Sequence, residues 1–107
     1  MQISLIIRTC PDNQHRLAIA RRFIQTARAQ GHTIRQCFFQ SEGVLAATQP
    51  EQVMAWQQIA DDTQAELLLC SQAAEEHAIN AGSPFKIGGL GALVEAAVRS
   101  DRVVSFV

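Results

Sequence analysis

Apolar residues follow two different spacings along the chain. Short, nearly continuous apolar runs alternate with segments in which apolar side chains recur at every third or fourth residue. The first pattern predicts strands that are covered on both faces, and the second predicts helices with one buried face. The predicted strands are residues 2–8, 33–40, 66–70 and 102–107, with a short extended piece at 85–87, and the predicted helices are residues 14–30, 51–62, 71–81 and 90–100.

This alternation of strands and helices predicts an α/β fold: a three-layer α/β/α sandwich with a mainly parallel sheet of four to five strands. We expect residues 1–107 to form a single domain, because this length lies near the commonest domain size. Residues 41–50 are predicted to form a long, partly apolar loop. Gly43 within it permits either a positive φ or a close approach of another backbone segment.

Composition and charge exclude several classes of protein. An apolar fraction of 48% is that of a folded domain, and a net charge of −1 argues against direct binding of nucleic acid. No apolar run approaches the roughly 18 residues of a membrane span, so we expect no membrane association. Residues 1–8 lack a basic lead, which favours a first strand over a signal peptide.

The cysteines are three in number, widely separated, and form no Cys-x-x-Cys pair. Such an odd set predicts free thiols in a reducing cytoplasm. Cys37 lies within a predicted strand beside two phenylalanines, which predicts a packed, inert thiol. The three histidines show no metal-ligand spacing relative to the cysteines, and the glycines at 88–91 lack the spacing of a dinucleotide fingerprint. We therefore expect no metal and no cofactor.

Cys70 stands where the strand 66–70 stops and the helix 71–81 begins. The free N–H groups in the first turn of a helix carry partial positive charge and favour a thiolate, the reactive form of cysteine. We therefore interpret Cys70 as a catalytic nucleophile or sulfur carrier, with the backbone N–H groups of Gln72 and Ala73 as anion donors. Glu75 and Glu76, one turn further on, oppose thiolate formation. A buried, inert thiol is the alternative.

Three groups follow predicted strands at one edge of the sheet: the loop 10–13, the loop 40–49 and Cys70. Ligands and catalytic residues of such sheets collect beyond the carboxyl ends of the strands. Cys10 is accordingly a candidate second thiol, which would approach Cys70 if the first and third strands pair. His15 would lie near Cys70 under the same condition.

The chain resembles the DsrE/TusD-like (DsrE/DsrF-like) sulfur-relay family over nearly its whole length. Four pieces carry the resemblance, and they occur in the order that the family shows. They are Phe38-Phe39-Gln40-Ser41-Glu42-Gly43-Val44, then Leu69-Cys70 leading into a helix, then Gly89-Leu90-Gly91-Ala92-Leu93-Val94-Glu95-Ala96, then Asp101-Arg102-Val103-Val104-Ser105-Phe106.

The resemblance implies cytoplasmic sulfur transfer through a persulfide on Cys70, the position on which the family's persulfide-carrying cysteine falls. The sulfur would go toward 2-thiouridine in tRNA, as in TusD-like members, or would belong to sulfur oxidation, as in DsrE-like members. The implied partners are related DsrF/TusC-like and DsrH/TusB-like subunits, in a hexamer or trimer, and a small TusE/DsrC-like sulfur acceptor. Direct tRNA binding is not implied.

A second interpretation of the sequence is a non-catalytic α/β subunit that has a structural or small-ligand-binding role. In that case Cys70 is a buried residue at a strand end. The rate at which Cys70 reacts with a thiol reagent, relative to Cys37, distinguishes the two interpretations.

Overall fold

Five strands and four helices alternate along the computed structural model, which describes residues 1–107. The strands are β1 (Gln2–Ile7), β2 (Thr33–Phe39), β3 (Glu66–Cys70), β4 (Phe85–Gly88) and β5 (Arg102–Phe106). The α-helices are α1 (Gln14–Ala29), α2 (Pro50–Thr63), α3 (Ser71–Glu76) and α4 (Leu90–Arg99), and a 3-10 helix spans Ser41–Thr48. The predicted α/β class is confirmed.

The sheet is parallel throughout, with strand order β4-β3-β2-β1-β5. Chain order therefore runs outward from β1 to β4 and then returns across the sheet to β5. The main core lies on the face covered by α1, α2 and α3, where their buried residues pack against Leu5, Cys37 and Leu67 of the sheet. Helix α4, which makes the return connection, covers the opposite face near Leu68.

Helix α1 begins and ends where its sequence predicts. The Asn13 side chain accepts a hydrogen bond from the backbone N–H of Arg16 and caps the first turn, at 3.2 Å. Gly31, with a φ of +88°, reverses the chain after the helix. The buried face of α1 carries apolar residues at three- and four-residue spacing, namely Leu17, Ala20, Ile24 and Ala27.

Aromatic side chains form the centre of the main core. Phe39 lies edge-on to Trp56 and to Phe85, with ring centroids 5.0 and 5.3 Å apart. These geometries are the preferred ones for aromatic pairs, which stabilise a core beyond their buried area. Trp56 is fully buried, so it is a core residue and is not a ligand platform.

Two predicted segments differ from the structure. The predicted loop 41–50 holds the 3-10 helix, which crosses so close to β1 that a Cβ on Gly43 would overlap the carbonyl oxygen of Ile7. Gly43 thus permits a close backbone approach, one of the two predicted roles.

The predicted helix 71–81 is wrong in length, because α3 ends at Glu76. Ala78 takes a left-handed φ of 54°, and the N–H groups of Ala78 and Ile79 donate to the carbonyls of Glu75 and Ala74. This pattern is a Schellman ending, which an alanine completes here in place of the usual glycine. It turns Ile79 back onto the core, and that burial explains why the helix stops despite a helix-forming sequence.

Helix α4 buries one alanine and leaves three of its large apolar residues exposed. Ala96 is buried against the sheet, whereas Leu90, Val94 and Val98 are 66%, 60% and 79% exposed. These three residues are spaced four apart, so they form one stripe along the outer face of α4. None of the helices is both long and apolar enough to cross a membrane.

Candidate functional site

Cys70 is the last residue of β3 and the N-cap of α3. Its backbone is extended, with φ −56° and ψ 124°, and the chain enters α3 at the next residue. In the sheet it lies in register with Gly88, the last residue of β4. A run of buried leucines, Leu67 to Leu69, fixes the strand that holds it.

The neighbouring strands β3 and β4 are followed by helices on opposite faces of the sheet. After Cys70 the chain enters α3, whose Ala73 and Ala74 join the main core. After Gly88 it enters α4, which packs on the other face. A crevice opens where successive connections diverge in this way, and such crevices are the usual ligand sites of parallel sheets.

A cavity of about 310 Å³ occupies this crevice, and Cys70 is the one cysteine in its wall. Gln40 and Ser41, which follow β2, form part of the wall, so the predicted convergence of the 40–49 loop with Cys70 is observed. Leu90 of α4 supplies an apolar edge. The sequence did not indicate that Leu90 would lie in this wall, because its proximity to Cys70 follows from strand order.

Ser41 has a left-handed backbone, with a φ of 51°, although it is not a glycine. Residues held in this region are uncommon, and they cluster at functional sites. The conformation carries the chain from the end of β2 into the 3-10 helix directly beside the cavity. The packing of Gly43 against Ile7 holds this turn in place.

Polar groups in the cavity wall come mainly from α3. Gln72 and Ala73 lie in the wall, and their N–H groups belong to the first turn, which has no side-chain cap. Glu76 also lies in the wall, and its carboxylate accepts a long hydrogen bond of 3.4 Å from the Gln72 side chain. No cationic side chain lines the cavity. The donors in the wall are therefore uncharged: the backbone N–H groups, the side-chain amides of Gln40 and Gln72, and the Ser41 hydroxyl.

Cys10 lies outside the Cys70 cavity. The strand β2 separates β1 from β3, so the pairing that would bring Cys10 and His15 to Cys70 does not occur. The backbone N–H of Asp12 lowers the pKa of Cys10, but partial burial and the carboxylates of Glu42 and Asp12 outweigh it and raise the pKa above its ordinary value. All three cysteines are free thiols.

Cys37 is fully buried in β2, as its sequence predicts. Burial raises the pKa of its thiol to about 12, so the group stays protonated at neutral pH. Such a thiol is inert toward electrophiles in the folded protein. Of the three cysteines, Cys70 alone combines partial exposure with an open cavity.

Known proteins give a consistent set of relatives. The profile of the DsrE/DsrF-like family matches residues 1–106. The sulfurtransferase TusD of Cronobacter sakazakii is 34% identical and aligns with 99% of this chain and all of the relative. TusD of Serratia proteamaculans is 37% identical over 81% of this chain and 84% of its own. The putative sulfurtransferase DsrE of Allochromatium vinosum is 30% identical over 99% of this chain and 98% of its own.

A solved structure shares the fold of this chain. The crystal structure of the ychN protein from E. coli superposes with a TM-score of 0.80 at 18% identity, covering 99% of this chain and all of that one. The alignment with the Cronobacter relative extends over 128 positions, whereas this chain has 107 residues, so the relative contains segments that are absent here. The matched profile and relatives together show that the chain belongs to the DsrE/DsrF-like family.

Proposed function

We propose that this protein is a sulfurtransferase subunit that carries sulfur as a persulfide on Cys70. The observation that carries the proposal is the position of Cys70 in the wall of an open cavity at the carboxyl edge of the sheet. The other thiols are unsuited, because Cys37 is buried and Cys10 faces two carboxylates. Relatives that align with nearly the whole of this chain bear the name sulfurtransferase, which supports the same chemistry.

The transfer needs no change in oxidation state overall. The Cys70 thiolate attacks the outer sulfur of a donor persulfide, forms a new S–S bond, and releases the donor sulfur as a thiolate. In the second half, an acceptor thiolate attacks the outer sulfur now on Cys70. The Cys70 thiolate leaves, and the acceptor holds the persulfide. Both half-reactions exchange one S–S bond for another.

The cavity supports this exchange in a limited way. Gln72 and Ala73 lie in the cavity wall in the first turn of α3, and we assign their N–H groups to hold the anion that develops at Cys70. Glu76 acts in the opposite direction, because a carboxylate disfavours a second negative charge nearby. No acid or base side chain other than Glu76 lines the cavity. A docked partner therefore completes the site.

The proposed setting is a cytoplasmic sulfur relay. Partners would be related DsrF/TusC-like and DsrH/TusB-like subunits in a hexamer or trimer, together with a TusE/DsrC-like acceptor. The acceptor pathway is either 2-thiouridine synthesis in tRNA or sulfur oxidation, since relatives named for both groups match at similar identity. The exposed apolar stripe of α4 begins at Leu90 in the cavity wall, which supports the binding of a partner protein beside Cys70.

Intact-mass measurement after incubation with glutathione persulfide tests the proposal. The wild-type chain should gain the mass of one sulfur atom, and a reducing agent should remove it. The Cys70→Ser variant should gain none. Cys10→Ser is the matched control and should behave as wild type.

A sulfur adduct that persists in Cys70→Ser would overturn the assignment. The rate of thiol labelling in native protein provides an independent check. A Cys70 thiol that reacts no faster than buried Cys37 would favour a non-catalytic subunit with a structural or small-ligand-binding role.

A further inference from the structure

A second cavity, of about 150 Å³, lies under α4 on the face of the sheet opposite the main core. A β-bulge builds its floor. The pairing of β1 with β2 shifts between Ile3 and Ser4. Ile3 pairs with Ile34 and Ser4 pairs with Gln36, which leaves Arg35 as the extra residue. Bulges redirect side chains, and this one is accompanied by both Arg35 and Gln36 in the cavity wall.

Gln36 is an unsatisfied polar residue in this wall. It is 94% buried, since 6% of its surface is exposed, and its Oε1 has no hydrogen-bond donor. Neighbouring Ser4, in the same register row, is satisfied by the hydroxyl of Ser100 at 2.6 Å. A buried carbonyl oxygen without a donor is costly. The torsion of a terminal amide is broad, so a donor entering the cavity can draw Oε1 toward it.

Charged groups of both signs line the same cavity without pairing across it. Arg35 donates to the Gln2 side chain at 3.0 Å and forms no ion pair, and Glu66 forms none either. The remaining carboxylate, Glu95, is already paired with Arg99 at 3.2 Å. The wall therefore offers one free cation, one free carboxylate and one acceptor that lacks a donor.

We propose that this cavity binds the zwitterion of a small free α-amino acid. The ammonium group donates to the Glu66 carboxylate and to Gln36 Oε1, and the carboxylate accepts from the Arg35 guanidinium. Ala92 and Ala96, the small residues of α4, leave room for a short side chain beside Leu68. The volume corresponds to about five water molecules of bulk liquid, which matches the size of a small amino acid.

Titration of the full chain with L-alanine, followed by backbone amide NMR shifts, tests this site. L-Alanine should produce saturable shifts at Gln36, Ala92 and Ala96 with a Kd of about 1–10 mM. Propionate, which lacks the ammonium group, and ethylamine, which lacks the carboxylate, should each bind about tenfold more weakly or not at all.

Matched variants separate this site from the proposed sulfur chemistry. Glu66→Gln removes the free carboxylate and Ala92→Leu fills the cavity, and each should abolish the shifts. Glu51→Gln, an exposed carboxylate on α2, and Cys70→Ser should bind as wild type. Absence of saturable shifts, equal binding of propionate or ethylamine, or wild-type binding by Glu66→Gln and Ala92→Leu would overturn the proposal and leave a cavity that holds water only.

Discussion

The three thiols share one chemistry and differ only in what surrounds them. Cys37 is enclosed by the core, Cys10 faces the carboxylates of Asp12 and Glu42, and Cys70 opens onto a cavity that contains backbone donors. Because the thiolate is the reactive form, these surroundings rank the residues by reactivity. The ranking depends on burial and neighbouring charge, and it is what connects the structure to persulfide transfer.

Alkylation at neutral pH should follow that ranking. We expect iodoacetamide to modify Cys70 first and Cys10 more slowly, because partial burial and two carboxylates raise the pKa of Cys10. Cys37 should react only when the protein unfolds. Peptide mass spectrometry over a time course measures the three rates in one sample. Faster modification of Cys10 than of Cys70 would contradict the ranking.

Cys37 should also make the protein less stable at alkaline pH. The unfolded thiol loses its proton near its ordinary pKa of 9.0, whereas the folded thiol keeps it until a pKa of about 12. Between these values the unfolded state binds fewer protons, so the free energy of unfolding falls as pH rises. The slope for this one group is about 1.4 kcal/mol per pH unit.

Urea unfolding of wild type and Cys37→Ala between pH 9 and 11 measures this slope. The variant loses packing, so its absolute stability is lower, but its stability should fall less steeply with pH. The chain contains no tyrosine, which removes one other group that titrates in this range. Parallel slopes for the two proteins would show that Cys37 is not the titrating group.

Among the elements, the 3-10 helix Ser41–Thr48 positions the cavity wall, and it depends on one glycine. A Cβ on Gly43 would overlap the backbone of Ile7, which cannot move aside as a flexible side chain can. We expect Gly43→Ala to lower the free energy of unfolding by about 1–3 kcal/mol. It should also slow the reaction of Cys70 with iodoacetamide, because Ser41 of the cavity wall lies in the same 3-10 helix.

Gly82→Ala is the matched control for that substitution. An added Cβ at Gly82 meets no atom within 4 Å, and its φ is not left-handed. Its free energy of unfolding should change by less than about 0.5 kcal/mol. Urea unfolding measures the free energy of unfolding of both variants. Equal values would mean that the 3-10 helix can move away from β1 without cost.

At the scale of the whole molecule, the spacing of apolar residues predicted the fold but did not predict which strands are neighbours. The alternation of apolar runs and helical spacing was enough to predict the parallel α/β fold and the placement of Cys70 at a strand end. It could not predict that β2 lies between β1 and β3, because strand order depends on contacts distant in sequence. The proximity of Leu90 to Cys70, and the separation of Cys10 from it, both follow from that order.

The sequence also did not predict two local irregularities, and the reason is again tertiary packing. The sequence after Cys70 favours helix throughout, yet α3 ends at Glu76 because burial of Ile79 requires the chain to turn. The bulge at Arg35 likewise leaves no signature in the apolar pattern of β2. In both places tertiary packing overrides a local preference, which a single sequence does not reveal.

The outer face of α4 carries apolar side chains that the folding of one chain leaves exposed. A helix that only covered its sheet would bury its large apolar residues, but Val94 and Val98 are 60% and 79% exposed. Exposed residues contribute little to the folding of one chain. Their arrangement as a stripe favours burial against another subunit of the proposed assembly.

Replacing both valines by aspartate should therefore disrupt assembly without unfolding the chain. We expect sedimentation of the wild type to show an oligomer and that of the Val94→Asp, Val98→Asp variant to show a monomer, because a subunit interface does not tolerate two unpaired buried charges. Met54→Asp, at a position 75% exposed on α2, should sediment as wild type. A double variant that retains the mass of the wild-type assembly, with a cooperative thermal transition in both proteins, would place the subunit contact on a different face.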